Sequence, residues 1–216
     1  VHHHLPHAGA DGVDGDDVLA FCHCHSSRRL HGRDEPQTHL HFSATVRLGA
    51  GTREPLSVAL PTRSTAAVVS AADLYRIYFH GPAYRVLDTV WRGGDVVVGE
   101  LAADLPDDHV PSGMALVAHP RLVELCFQTA GAWEMGTSGR MGLPRSIRRL
   151  AFFGAGDGPG TGLFAQVRRD GATGEFDAVV TDAAGRVRIS LEGYCSIEFP
   201  AALDGELLLP LQELMK

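Results

Sequence analysis

Lysine is almost missing from this chain. Of 19 lysines and arginines in 216 residues, the one lysine is the last residue, Lys216. A Schiff-base lysine, a phosphate-loop lysine and a pyridoxal-binding lysine must all lie inside a fold, so those chemistries are excluded. Long apolar runs are lacking too, and no stretch approaches the roughly 18–20 apolar residues of a membrane span. Cysteine is scarce. Cys22, Cys24, Cys126 and Cys195 have no disulfide-scaffold spacing, which points to reduced thiols and a cytoplasmic compartment. The opening Val1-His-His-His-Leu5 has neither the basic region nor the apolar run of a signal peptide. A chain that does not begin with Met is expected to be cut or processed from something longer. Basic charge is in deficit: the net charge is -7, which argues against nucleic acid or an anionic membrane as partner. The rest is ordinary globular composition, 44% hydrophobic and 21% charged, enough for one or two domains.

Histidine is plentiful but lopsided, with nine of the 12 at or before His41. The run Cys22-His-Cys-His25 invites a metal reading. On a strand, however, the cysteines face one way and the histidines the other. No CxxC pair or helical HxxxH supports a site, so no metal is expected there or at His2-His3-His4.

Val18–Ser26 and His39–Leu48 alternate at period two, as half-buried strands do. Leu40, Phe42, Ala44, Val46 and Leu48 share a face. Val1–Ala8 is a candidate strand before them. Residues 51–63, with two prolines and no periodicity, read as a linker. Ser64–Tyr78 reads as helical, with Ser64 or Ser70 as its cap. Val86–Val90 and Val96–Leu101 flank a Gly93-Gly94-Asp95 turn. Pro120–Trp133 is the most persuasive helix: proline suits the first helical position, and Leu122, Leu125, Cys126 and Thr129 fall at helical spacing. Met135–Gly142 reads as a glycine-rich connection. Strands follow at Ser146–Phe153, Gly162–Arg169, Phe176–Thr181 and Val187–Phe199, then a C-terminal tail over 201–216 that is weakly helical at Glu206–Met215. One long helix followed by antiparallel strands gives an α+β class.

Three segments together resemble a polyketide synthase dehydratase domain: Leu74–Leu87 (LYRIYFHGPAYRVL), His119–Gln128 (HPRLVELCFQ) and Leu143–Phe153 (LPRSIRRLAFF). They are similar to the YGPxF-type motif, the HPxLLDxxxQ/H motif and the strand after it, in that order. The likeness is greatest to iterative polyketide and polyunsaturated-fatty-acid synthase versions. It implies a hotdog fold. Residues 64–200 would be a complete C-terminal hotdog around a helix near 120–133, and 1–50 the closing strands of an N-terminal one. It implies elimination of water from a β-hydroxyacyl chain on the phosphopantetheine arm of an acyl carrier protein, with no other cofactor. The other synthase domains would be partners, and homodimerisation is the expectation the resemblance carries.

On that resemblance Glu124 takes the place of the family's aspartate as general acid, where burial would keep it protonated. Gln128, one turn on, would orient it or hold the hydroxyl. His80, Gly81, Pro82, Tyr84, His119, Pro120 and Pro144 fall in motifs that line the substrate. Arg145, Arg148 and Arg149 are candidates for the carrier protein or its phosphate, which suits arginine. The family's base, a histidine in HxxxGxxxxP, has no counterpart, so the chain by itself is expected to be inactive. His80 as a substitute base is the less favoured reading. Two alternatives stay open: a degenerate dehydratase kept as scaffold or docking domain, and a hotdog thioesterase or product-shaping domain.

Overall fold

The computed structural model describes residues 17–32, 35–49, 56–63, 67–111, 114, 116, 118–153 and 162–216. They fall into two compact units, one within residues 9–53 and one within 54–216.

In the first unit β1 (Val18–Arg28) pairs antiparallel with β2 (Gln37–Leu48), with a bulge between Cys24 and His25. Both strands form where the alternation predicts them, but they are not half-buried. Phe21 is 77% and Phe42 62% exposed, because a two-stranded ribbon has no second layer of its own to cover an apolar face. The expected strand at Val1–Ala8 lies outside the described residues.

The second unit is one antiparallel sheet around a helix. Its strands are β3 (Val68–Ser70), β4 (Leu87–Gly93), β5 (Val96–Leu101), β6 (Gly142–Ser146), β7 (Arg149–Phe152), β8 (Leu163–Arg169), β9 (Phe176–Asp182) and β10 (Val187–Glu198). Their order is β3-β4-β5-β8-β9-β10-β6, with β7 also on β10. The sheet packs on α2 (Pro120–Ser138). Leu122, Leu125, Cys126, Thr129, Ala132 and Met135 are buried at intervals of three and four residues, the stripe a core-facing helix needs. They meet Leu87, Val97, Ala165, Val180 and Leu191 from the sheet. Each large aliphatic side chain among them contributes about 1.5–3 kcal/mol by leaving water.

Local expectations need correcting at five places. The stretch from Ser64 is not one helix, and residues 64–66 are outside the described set. Val68 and Val69 are β-branched and pair with Trp91 and Val90 as strand β3. Only Ala71–Leu74 is helical (α1), capped by Ser70, whose side chain accepts from the Asp73 N–H. The helix α2 runs past Trp133 to Ser138 and ends at Gly139 in a left-handed conformation (φ 72°), which glycine adopts without steric cost. Residues 56–63 do not behave as a linker. Leu56, Val58 and Leu60 alternate, and they cover the face of the sheet opposite α2, against Val179, Val187 and Trp91. Of the single strand expected over Ser146–Phe153, only β7 and the last residue of β6 are extended, with a break at Ile147 and Arg148; β6 lies mostly before it, and both strands pair to β10, which bulges at Cys195. Finally, the tail is part of the core. Its helix α3 (Gly205–Leu214) packs on α2 through Leu208, Leu211 and Leu214.

Among the described residues no helix is long and apolar enough to cross a membrane.

Candidate active site

The first turns of α2 carry Glu124 and Gln128 on one face, four residues apart. Gln128 is 2% exposed, so each of its polar atoms has to be paired. Its side-chain N–H groups donate to the Tyr84 carbonyl (2.8 Å) and to Glu124 Oε1 (2.8 Å). Its Oε1 accepts from the Tyr75 hydroxyl (2.8 Å). That hydroxyl in turn accepts from the Leu87 backbone N–H (2.8 Å). Each direction is forced: the Leu87 amide can only donate and the Tyr84 carbonyl can only accept, so the amide cannot be flipped. A fixed chain of donors therefore runs from β4 through Tyr75 and Gln128 to the Glu124 carboxyl.

Two further contacts hold this chain. The Tyr78 hydroxyl donates to the Gln128 backbone carbonyl (2.6 Å). Gly131 permits that approach, since a Cβ there would come within 2.5 Å of the Tyr78 oxygen. His80 Nε2 lies 3.0 Å from Glu124 Oε1. The Glu124 side chain is 20% exposed, so it is neither sealed in the core nor free on the surface. Burial drives the Tyr75 and Tyr78 phenols well above their ordinary range, which keeps both as donors. Burial also pushes the Cys126 thiol up to about 12, so the one cysteine on α2 is not a nucleophile at neutral pH.

The other residues singled out by sequence fall in different places. Gly81 caps a 3₁₀ turn over Pro82–Tyr84, and a Cβ at Gly81 would meet nothing within 4 Å, so the turn faces open space beside His80. His119 is the N-cap of α2 without a side-chain cap bond, and Pro120 opens the helix. Pro144 is exposed on β6, opposite Ser196. Arg145 is exposed on the same strand. Arg148 pairs with Glu175 and lies against Gly193, and Arg149 is half-buried at the start of β7. The three arginines are thus not one uniform face. Among the described residues no group of three or more His, Cys, Asp or Glu side chains is placed to hold a metal.

Sequence reading missed three contributors: Tyr75, Tyr78 and Arg121. Arg121 Nε donates to the Ala83 carbonyl (3.0 Å) and lies 3.3 Å from Asp108 Oδ2, so it ties the 3₁₀ turn and the loop before α2 to the helix. Asp108 Oδ1 pairs with His109 Nδ1 (2.7 Å). The His109 ring holds Asp108 below its ordinary 3.8, with Arg121 adding to it. The same bond raises His109 above 6.5. The His109 contribution is complete below pH 6.5 and is lost as pH rises through its raised value. The Asp108 contribution is complete above pH 3.8 and is lost as pH falls through its lowered one. The clamp is therefore strongest between those limits. The difference in thermal midpoint between the protein and H109A is expected to be largest near pH 5–6 and to narrow above pH 6.5. A difference constant across that range would refute it.

A family model described as "Polyketide synthase dehydratase N-terminal domain" matches residues 50–206. No curated protein sequence matches the chain. Solved structures do. A dehydratase domain of a trans-AT polyketide synthase from Brevibacillus brevis aligns with TM-score 0.65 at 19% identity, over 84% of this chain and 65% of that one. The dehydratase domain from the CurF module of curacin polyketide synthase aligns with TM-score 0.64 at 17% identity, again over 84% and 65%. The dehydratase domain from the CurK module gives TM-score 0.61 at 21% identity, over 76% and 60%. The antiparallel sheet around α2 is thus the hotdog fold of these domains. The chain spans 65% of the length of the first two.

Proposed function

Because the chain belongs to the polyketide synthase dehydratase family, we propose that it is the acid-bearing part of a domain that removes water from a β-hydroxyacyl thioester. The observation that carries this reading is the fixed donor chain ending on Glu124. Gln128 and His80 both lie against Oε1, which leaves Oε2 as the oxygen able to face a ligand. A base takes the α-proton, and the C–H electrons form the new double bond. The β C–O bond breaks as Glu124 gives its proton to the departing hydroxyl, and water leaves. Glu124 ends ionised and the base ends protonated.

The base in this proposal is a histidine of a companion hotdog, of which β1 and β2 are the closing strands, with the second hotdog within residues 64–200. The substrate arrives on the phosphopantetheine arm of an acyl carrier protein in a cytoplasmic multidomain synthase, and no other cofactor enters the step. The resemblance of the chain's motifs to iterative polyketide and polyunsaturated-fatty-acid synthase versions favours a host of that kind. Exposed Arg145 is the first candidate for the carrier's phosphate, since Arg148 is engaged by Glu175.

The test compares the purified 216-residue chain with a protein that also carries the companion hotdog, each given a 3-hydroxyacyl pantetheine thioester. The expected result is an enoyl thioester, lighter by one water, from the second protein alone. A free acid would replace this reading with a thioesterase. Elimination by the short chain that survives loss of His80 would remove the need for an outside base. Absence of product from both would favour a scaffold.

A further inference from the structure

His80 sits at the place where the turn meets the helix, and its ring is unusually placed. Nε2 is 3.0 Å from Glu124 Oε1. Nδ1 is buried and has no hydrogen-bond partner among the described residues. The ring is fixed in plane by its neighbours: it stacks on Phe79 (centroids 5.3 Å, 7°) and meets the edge of Tyr78 (5.3 Å, 72°). Its own backbone carbonyl is held by Arg85 Nε (3.1 Å).

A histidine acting as base must show an unshared lone pair to the substrate. Here one nitrogen is taken by Glu124 and the other has no access. Two arrangements of the protons remain for a neutral ring. Either Nε2–H donates to Oε1 and Nδ1 is a bare acceptor, or Oε1–H donates to Nε2 and Nδ1–H is a stranded donor. Buried orphan N–H groups are rarer than buried orphan acceptors, which favours the first. In that arrangement Oε1 receives two N–H bonds, from His80 and from Gln128 Nε2 (2.8 Å).

We propose that His80 is a positioning residue: its neutral ring donates Nε2–H to Glu124 Oε1 and confines the transferable proton of the acid to Oε2. This rests on the dehydratase reading for its purpose, though not for its geometry. The proton then leaves from the oxygen that faces the ligand, while Oε1 stays anchored before and after transfer. At this position the longer arm of glutamate reaches both donors.

The test has a spectroscopic arm and a kinetic arm. With nitrogen-15 labelled histidine in the 216-residue chain, His80 is expected to show Nε2 protonated and Nδ1 bare, and both signals are expected to move in E124Q. Nδ1 protonated with Nε2 bare, or no response to E124Q, overturns the proposal. In the protein carrying the companion hotdog, H80A is expected to lose about 10–100-fold in kcat with little change in KM, as a misplaced acid does. H80Q, whose amide reaches the position of Nε2, is expected to recover to within about fivefold of the parent. Equal loss in both variants, or no loss in either, overturns it. If the parent protein shows no elimination at all, the dehydratase reading fails, and the spectroscopic arm still decides the hydrogen bond.

Discussion

Glu124→Gln is expected to lower elimination by about 10²–10⁴-fold in the protein that carries both hotdogs, the range lost when a general acid is removed. That corresponds to roughly 3–5.5 kcal/mol in the barrier. The substitution keeps the length and an oxygen for His80 and Gln128, so the fold and the KM should change little. Glu124→Asp is the more informative companion. It restores the residue type of the family motif but shortens the arm by one methylene. Contacts of 2.8 and 3.0 Å to Oε1 would lengthen past about 3.5 Å, where a hydrogen bond is no longer made. Aspartate is therefore expected to be worse than glutamate here, by about tenfold or more. Single-turnover formation of the enoyl thioester measures both. An E124Q enzyme at parental rate would show that Glu124 is not the acid.

Gln128→Leu is expected to be the most destabilising single change at the site. Leucine fills the volume, but the Tyr75 O–H loses its acceptor, keeping only the Leu87 amide that donates to it, and the Tyr84 carbonyl loses its donor beside a core helix. Each buried group left unpaired costs about 1–3 kcal/mol, so a loss of roughly 2–5 kcal/mol is expected. For a unit of this size that lowers the melting midpoint by about 5–15 °C. Urea unfolding should show the same loss without a change in slope. A loss below about 1 kcal/mol would mean that the chain of donors does not constrain the fold.

The two predictions separate what the site needs for chemistry from what it needs for shape. Glu124 is replaceable in shape and irreplaceable as a proton donor. Gln128 is the reverse: it moves no proton, and every one of its polar atoms holds something else in place. Local pattern shows only that the two share a helix face. It cannot show that one is 2% exposed and the other 20%, since that depends on what packs over the first turn.

What the sequence determined by itself is what acts over short range. It placed the core stripe of α2, the strands with their glycine turns, and the Glu124–Gln128 pair one turn apart. Through three ordered motifs it also pointed to the family. Each of these is a spacing of two, three or four residues, or a run of defined length. Where neighbouring spacings conflicted, as at Ala67–Tyr78, strand pairing decided. Leu56, Val58 and Leu60 show the same limit, since two prolines and a loop-like composition hid an alternation that the sheet uses.

Only the tertiary structure brought His80 to Glu124, 44 positions apart, Tyr75 to Gln128, 53 apart, and Arg121 to Ala83, 38 apart. Those meetings follow from the register of β4 on β5 and from the depth at which α2 lies against the sheet. No local spacing encodes them, because a hydrogen bond across the fold depends on where two backbones stop, and packing sets that for the whole sheet at once.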